Sequence, residues 1–209
     1  MAVAAVLSPD PGAQAPLEKT ETTLLRESVP FGLRRAIISD VEAITKLGTQ
    51  VFTATFGHSV SAEELAAYLE SAYTHTAIKA DIQDPNKDLI VATTTANTQD
   101  GLPEEKVLGF AQLTRNSREP CVEHLPKTVE LQRLYVDIAA HGMGVGKAMS
   151  IKLDDMAREQ GFQYIWLGVW EENVKAHKVY ARLGYETVGD HDFAVGPVVQ
   201  RDLIMVKKL

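Results

Sequence analysis

Cysteine is nearly absent from this sequence. Among 209 residues Cys121 is the only one, so no internal disulfide can form and the chain fits a reducing compartment, with the cytosol as the expected location. A nucleophilic thiol would need a base beside it. His124 lies three residues further on; the alternative is a plain cysteine in a connection flanked by Pro120 and Pro126. No run of Lys or Arg makes a basic stripe, and the formal charge is −7, which argues against a nucleic-acid partner. An acidic surface steers cationic substrates instead. No stretch approaches the roughly 20 apolar residues that a membrane-spanning helix needs. The apolar start, residues 1–7, is short and lacks a basic flank, so it makes a poor signal peptide. His58, His75, His124, His177 and His191 share no ligand spacing with one another or with Cys121, and no metal is expected. A Ser–His–Asp hydrolase has no Gly-x-Ser-x-Gly elbow to stand on.

What remains is an ordinary globular composition, 45% hydrophobic and 23% charged, in a length suited to one domain. Residues 1–28 mix Ala, Pro, Thr and Glu without a sustained period and read as a flexible tail, leaving 29–209 as a single domain. Residues 31–37 read as a short strand. Ser39 and Asp40 make an N-cap signal before Val41, Ile44, Leu47, Val51 and Phe52 at helical spacing. Ser61-Ala-Glu-Glu64 resembles a capping box opening a second helix through Leu65, Tyr68 and Leu69, out to about residue 80. Residues 89–95 and 107–113 form a hairpin, and 129–136 a further strand. There, alternation assigns Glu130, Gln132, Leu134 and Val136 to one face and Leu131, Arg133 and Tyr135 to the other. Residues 145–160 are a helix with Ala148, Met149, Leu153, Met156 and Ala157 on one side, ended by Gly161. A strand over 164–169, a helix over 173–183 stopped by Gly184, and at least one more strand at 200–206 complete a mixed α/β domain, ordered βααββ-β-α-β-α-ββ.

The most informative segment is residues 135–147. A strand runs into Gly142, Gly144 and Gly146, which open an amphipathic helix. Glycine lets backbone approach a ligand closely, and orphan N–H groups at the positive end of a helix make a pyrophosphate site. A dinucleotide fold would need Gly-x-Gly-x-x-Gly near the chain start, and a P-loop would end in Gly-Lys-Ser/Thr. Neither fits, and a structural turn without ligand is the plain alternative.

His141-Gly-Met-Gly144-Val-Gly146 resembles the pyrophosphate loop of the GNAT acetyltransferases, Gln/Arg-x-x-Gly-x-Gly/Ala, with His141 in place of Gln or Arg. Asn173-Val-Lys-Ala176-His-Lys-Val-Tyr180-Ala-Arg-Leu-Gly184-Tyr185 is similar to the family's distal motif, Asn-x-x-Ala-x-x-x-Tyr-x-x-x-Gly-Phe. Residues 164–173 and 200–205 look most like the PaiA-type polyamine acetyltransferases. The resemblance implies the GNAT fold: a mixed sheet of about six or seven strands, splayed between the fourth and fifth, with about four helices. It also implies acetyl-CoA as co-substrate, a small amine as acceptor, and a homodimer with the C-terminal strands as candidate interface. Backbone amides of Leu134, Tyr135 and Val136 would line the acetyl carbonyl and pantetheine. His141, Gly142, Met143, Gly144, Val145, Gly146 and Lys147 would hold the pyrophosphate, and Asn173, Ala176 and Tyr180 the pantetheine arm.

The chemistry needs an amine that loses a proton, a polarised carbonyl and a thiolate that gains a proton. On the family pattern Tyr180 is the candidate acid and Glu130 the candidate base. Tyr180 would otherwise be packing beside Val179 and Leu183, Glu130 a solvated strand end, and Asn173 a helix cap. Glu171 and Glu172 are either ligands for a second ammonium or solvated charges. A protein or peptide acceptor and a non-catalytic acyl-CoA sensor are the rival readings.

Overall fold

Apolar residues at helical spacing set the first helix, α1 (Val41–Phe56): Val41, Ile44, Leu47, Val51, Phe52 and Phe56 are all buried. The computed structural model describes residues 3–6, 30–97, 100, 102–195 and 198–209. The other elements are β1 (Val3–Val6), β2 (Gly32–Arg35), α2 (Ala62–Ala72), α3 (His75–Gln83), β3 (Lys87–Asn97), β4 (Pro103–Thr114), β5 (Thr128–Val136), α4 (Val145–Glu159), β6 (Tyr164–Trp170), α5 (Val174–Arg182), β7 (Glu186–Val195) and β8 (Val198–Lys208). The strands form one mixed sheet in the order β2-β3-β4-β5-β6-β8-β7, with β1 added beside β5. This is the mixed sheet that the resemblance implies, with one more helix than expected. No helix among the described residues is long and apolar enough to cross a membrane.

Each face of the sheet carries its own core. On one, α4 and α5 bury Met149, Leu153, Met156, Ala157, Ala176 and Tyr180 against Leu131, Leu134, Val136 and Ile165. Truncating a fully buried residue such as Leu153 to Ala would cost about 2–5 kcal/mol. On the other, α1, α2 and α3 cover Leu89, Val91, Phe110 and Tyr135 with an aromatic cluster in which Phe52 stacks on Tyr68 at 4.2 Å.

The second helix is two. The Ser61 capping box opens α2 as its sequence suggests, both reciprocal bonds being made. At Thr74, however, the side chain accepts from Ala77 N–H at 3.1 Å and starts α3 afresh. A competent N-cap inside a helical pattern ends one helix and begins another. Residues 3–6, read within a tail, form β1; the rest of that segment lies outside the described residues.

Candidate active site

The site grows from one irregularity in β5. Leu131 pairs with Leu113 and Arg133 with Gln112 on β4, leaving Gln132 as an extra residue, a β-bulge. Strict alternation therefore fails. Leu131, Leu134 and Val136 join the core under α4 and α5, while Tyr135 joins the opposite one. Arg133 also turns to that opposite side, bonding Asp81 Oδ2 at 2.6 Å and Gln112 Oε1 at 3.1 Å, with its guanidinium 5.3 Å from the centre of the Tyr73 ring. Glu130, Gln132, Arg133 and Tyr135 thus share a face, contrary to the simple pattern.

On its other edge β5 parts from its neighbour. β5 and β6 run parallel and pair only at Thr128–Tyr164, Val129–Ile165 and Glu130–Trp166. Beyond Glu130 the strands diverge, leaving the β5 backbone from Leu131 to Val136 without a β6 partner. Into this opening comes β1, parallel to β5, with Val3 opposite Arg133 and Val6 opposite Tyr135. An exposed strand edge is a template for any extended group with amide hydrogen bonds.

At the far end of β5, a 3-10 turn over Ile138–Ala140 is capped by Asp137 and leads into the glycines. Gly142 and Gly144 take φ of 81° and 82°, the left-handed region where a side chain is strained. Gly144 is the N-cap of α4, and a Cβ built there meets nothing within 4 Å. Its outer side is open, and the first turn of a helix of 15 residues supplies orphan N–H groups to it. Gly142, Gly144 and Lys147 are exposed, Met143 and Gly146 half-buried, and Val145 buried. His141 turns inward, its Nε2 lying 3.1 Å from the Val136 carbonyl, so the ring braces the loop against β5.

Three buried polar atoms lie by the splay without hydrogen-bond partners, Trp166 Nε1 at its last β5–β6 pair and two oxygens. Glu130 Oε2 is one; the residue is 1% exposed. Burial raises the carboxyl above the usual range, against a lowering bond from Ser117. The other is the hydroxyl of Tyr180, which is 0% exposed. Burial, and then Tyr185, hold this phenol far above its ordinary value. They lie on opposite faces, Tyr180 in the α4/α5 core and Glu130 opposite Leu131 in the alternation. Asn173 caps α5, accepting from Ala176 N–H at 3.2 Å.

Elsewhere the structure separates what the sequence suggested. Cys121 Sγ is 3.8 Å from the Asp190 carbonyl, and burial and Glu119 push its thiol up, the reverse of an activated nucleophile. Glu171 and Glu172 are exposed at the end of β6. The buried carboxylate beyond the splay is Asp202, which sequence reasoning missed. Its signal was an acid alternating with Gln200 and Ile204 inside an apolar strand. A pocket of about 250 Å³ lined by Arg34, Arg35, Ile90, Lys152, Met156 and Glu159 lies towards the β2 edge of the sheet, away from the splay. Among the described residues no group of three or more His, Cys, Asp or Glu is placed to hold a metal.

Residues 58–185, more than half of the chain, match the sequence profile of the acetyltransferase (GNAT) family. An uncharacterized N-acetyltransferase of Mycobacterium tuberculosis is 24% identical over 172 residues, 82% of this chain and 99% of the relative. One from Lactobacillus delbrueckii subsp. lactis is 26% identical over 170 residues, 81% and 92% of the two chains. The structure resembles that of the PaiA N-acetyltransferase of Thermoplasma acidophilum in complex with coenzyme A, with TM-score 0.65 and 18% identity over 86% of this chain and 99% of that one. It also resembles a Salmonella typhimurium acetyltransferase with acetyl-CoA, with TM-score 0.56 and 20% identity over 86% and 94%.

Proposed function

The chain belongs to the GNAT family and is an acetyl-CoA-dependent N-acetyltransferase; on that footing we propose that its acceptor is a primary amine of a small, polyamine-like molecule in the cytosol. The observation that carries this reading is Glu130 Oε2, buried without a partner on one face of the splay with the Tyr180 hydroxyl on the other. An amine enters from the Glu130 side and a thiol leaves towards Tyr180.

Acetyl-CoA supplies an activated acyl carbon and a thiol leaving group. The chain fits it at three places: the open left-handed turn at Gly144, the edge of β5 that β6 leaves and β1 now covers, and the unpartnered Tyr180 hydroxyl. Backbone N–H groups of Gly142 and of residues 144–147 hold the pyrophosphate at the start of α4, those of His141 and Met143 being donated within the turn to Ile138 and Ala140 carbonyls. Along Leu134–Val136 the N–H groups that alternate away from β4 face the pantetheine and the acetyl oxygen, where fixed dipoles stabilise developing negative charge. Asn173 and Ala176 at the start of α5 flank the arm.

Glu130 takes the proton that the ammonium must lose, and its raised proton affinity suits that task. Tyr180 stays protonated, as an acid must. Burial weakens it as an acid, but a thiolate formed in the same desolvated groove has its own proton affinity raised by the same cause. The arm and β1 use one edge of β5, so β1 must leave for the arm to bind. A peptide acceptor is the second reading.

The test is thiol release from acetyl-CoA with a panel of monoamines, diamines and peptides with free N-termini. Faster release with diamines supports the reading. Release with peptides alone moves it to the second, and none with any acceptor refutes both.

A further inference from the structure

Gln200, Asp202 and Ile204 alternate onto one face of β8, and the register sets Trp170 of β6 and His191 of β7 opposite Asp202. Acceptors collect there. Ser59 gives its hydroxyl proton to the Phe56 carbonyl at 2.8 Å, so its oxygen is left to accept from the Gln200 amide nitrogen, also at 2.8 Å. That fixes the amide and leaves Gln200 Oε1 buried with no partner, in a residue 8% exposed.

Glu119 fixes the imidazole in the same manner. One of its oxygens accepts from Cys121 N–H at 3.1 Å, and the other lies 2.7 Å from His191 Nδ1, so Nδ1 carries a proton. On a neutral ring Nε2 is then a lone-pair acceptor. It faces Asp202 Oδ2 at 3.9 Å. Two acceptors cannot bond each other, and that gap is wide enough for one donor to reach both.

We propose that His191, Asp202 and Gln200 form a subsite for the second ammonium of a diamine acceptor, whose first nitrogen is the one acetylated beside Glu130. This rests on the amine-acetyltransferase reading above and names where the substrate's other end is held. A primary ammonium brings three N–H donors to three acceptors, whereas water brings two and no charge. It neutralises Asp202, whose side chain is only 5% exposed and whose burial as a lone anion is costly. Trp170 lies across the ladder from Asp202, its ring packed on Phe56 and His58 at 5.3 and 5.6 Å. Glu130 pairs with Trp166, and Trp170 lies four positions along β6. At about 3.3 Å per residue and about 4.8 Å per strand the two carboxylate-bearing positions stand about 13 Å apart along the sheet and about 10 Å across it, roughly 16 Å in all. Side chains reaching inward shorten that to a chain of several methylenes.

Calorimetry on the full chain tests this with octamethylenediamine and octylamine, which differ only by the second ammonium. The diamine should bind about tenfold or more tightly than the monoamine. That preference should vanish in Asp202→Asn and in His191→Phe, the second variant covering a folding failure of the first. Equal affinity of the two amines for the unsubstituted chain, or a preference that survives in a folded variant, would overturn the subsite. Thiol release is a separate readout. Its absence with every amine sinks the enzymatic reading, while the calorimetry still decides the ammonium site.

Discussion

Asp202→Asn should stabilise the folded chain at neutral pH while it damages amine binding. Burial lifts the Asp202 carboxyl from 3.8 to about 6, with His191 pulling the other way. The folded chain therefore holds a proton that the unfolded chain has released, between those two values. Its contribution to stability is present below about pH 4 and lost as pH rises through about 6. The difference, 6 minus 3.8, is about 2.2 pH units; at about 1.4 kcal/mol each this is about 3 kcal/mol. Urea unfolding at about pH 4 and about pH 8 reads it directly. Across that interval the unsubstituted chain should lose up to about 3 kcal/mol more stability than Asp202→Asn, and at about pH 8 the variant should be the more stable. Parallel pH dependence in the two chains, or a variant less stable at about pH 8, would refute the reasoning. A carboxylate retained at such a cost is consistent with one kept for binding a cation. The same ionisation should strengthen diamine binding as pH rises past about 6.

Tyr180→Phe removes a buried hydroxyl that bonds nothing. Turnover should fall roughly 10²-fold or more, with acetyl-CoA affinity and unfolding midpoint nearly unchanged; undiminished turnover removes Tyr180 from the acid role. Glu130→Gln should lower kcat/KM by about 10²-fold or more. Because the raised Glu130 carboxyl takes up its proton as pH falls, the acid limb of the unsubstituted profile should disappear in the variant, and an identical profile would point to water as the base. Replacing Ala4 and Ala5 together by Pro removes backbone donors from β1. KM for acetyl-CoA should then fall several-fold with kcat held, and a constant KM would mean that β1 does not compete for the β5 edge.

The sequence carried the α/β order and the glycine loop, because both rest on local signals. Periodicity marked α1 and α4 to within about a residue, and the phosphate turn needs glycine whatever surrounds it. The bulge was invisible for a physical reason. Residues 129–136 alternate acceptably in either register, and the insertion at Gln132 is decided by tertiary partners, Asp81 and Gln112 holding Arg133 on the Tyr135 side. That one residue reverses the faces of Arg133 and Leu134 relative to Glu130. Glu130, Tyr180 and the loop are candidates that the pattern alone brings forward. The ammonium subsite is not among them, since His191, Asp202 and Gln200 meet through a hairpin register and orphaned atoms. The Thr74 break between α2 and α3 was missed because Thr is weakly informative inside an apolar period.

If main-chain nitrogens around Gly144 grip the diphosphate of coenzyme A, calorimetry of coenzyme A with the unsubstituted chain and with Gly144→Val will show it. A Val there must adopt a left-handed φ near 82° and places its side chain in the open space over the loop. Binding by the unsubstituted chain, with affinity lowered about tenfold or more in the variant, is the predicted result. No heat with the unsubstituted chain, or equal dissociation constants for the two, would contradict it.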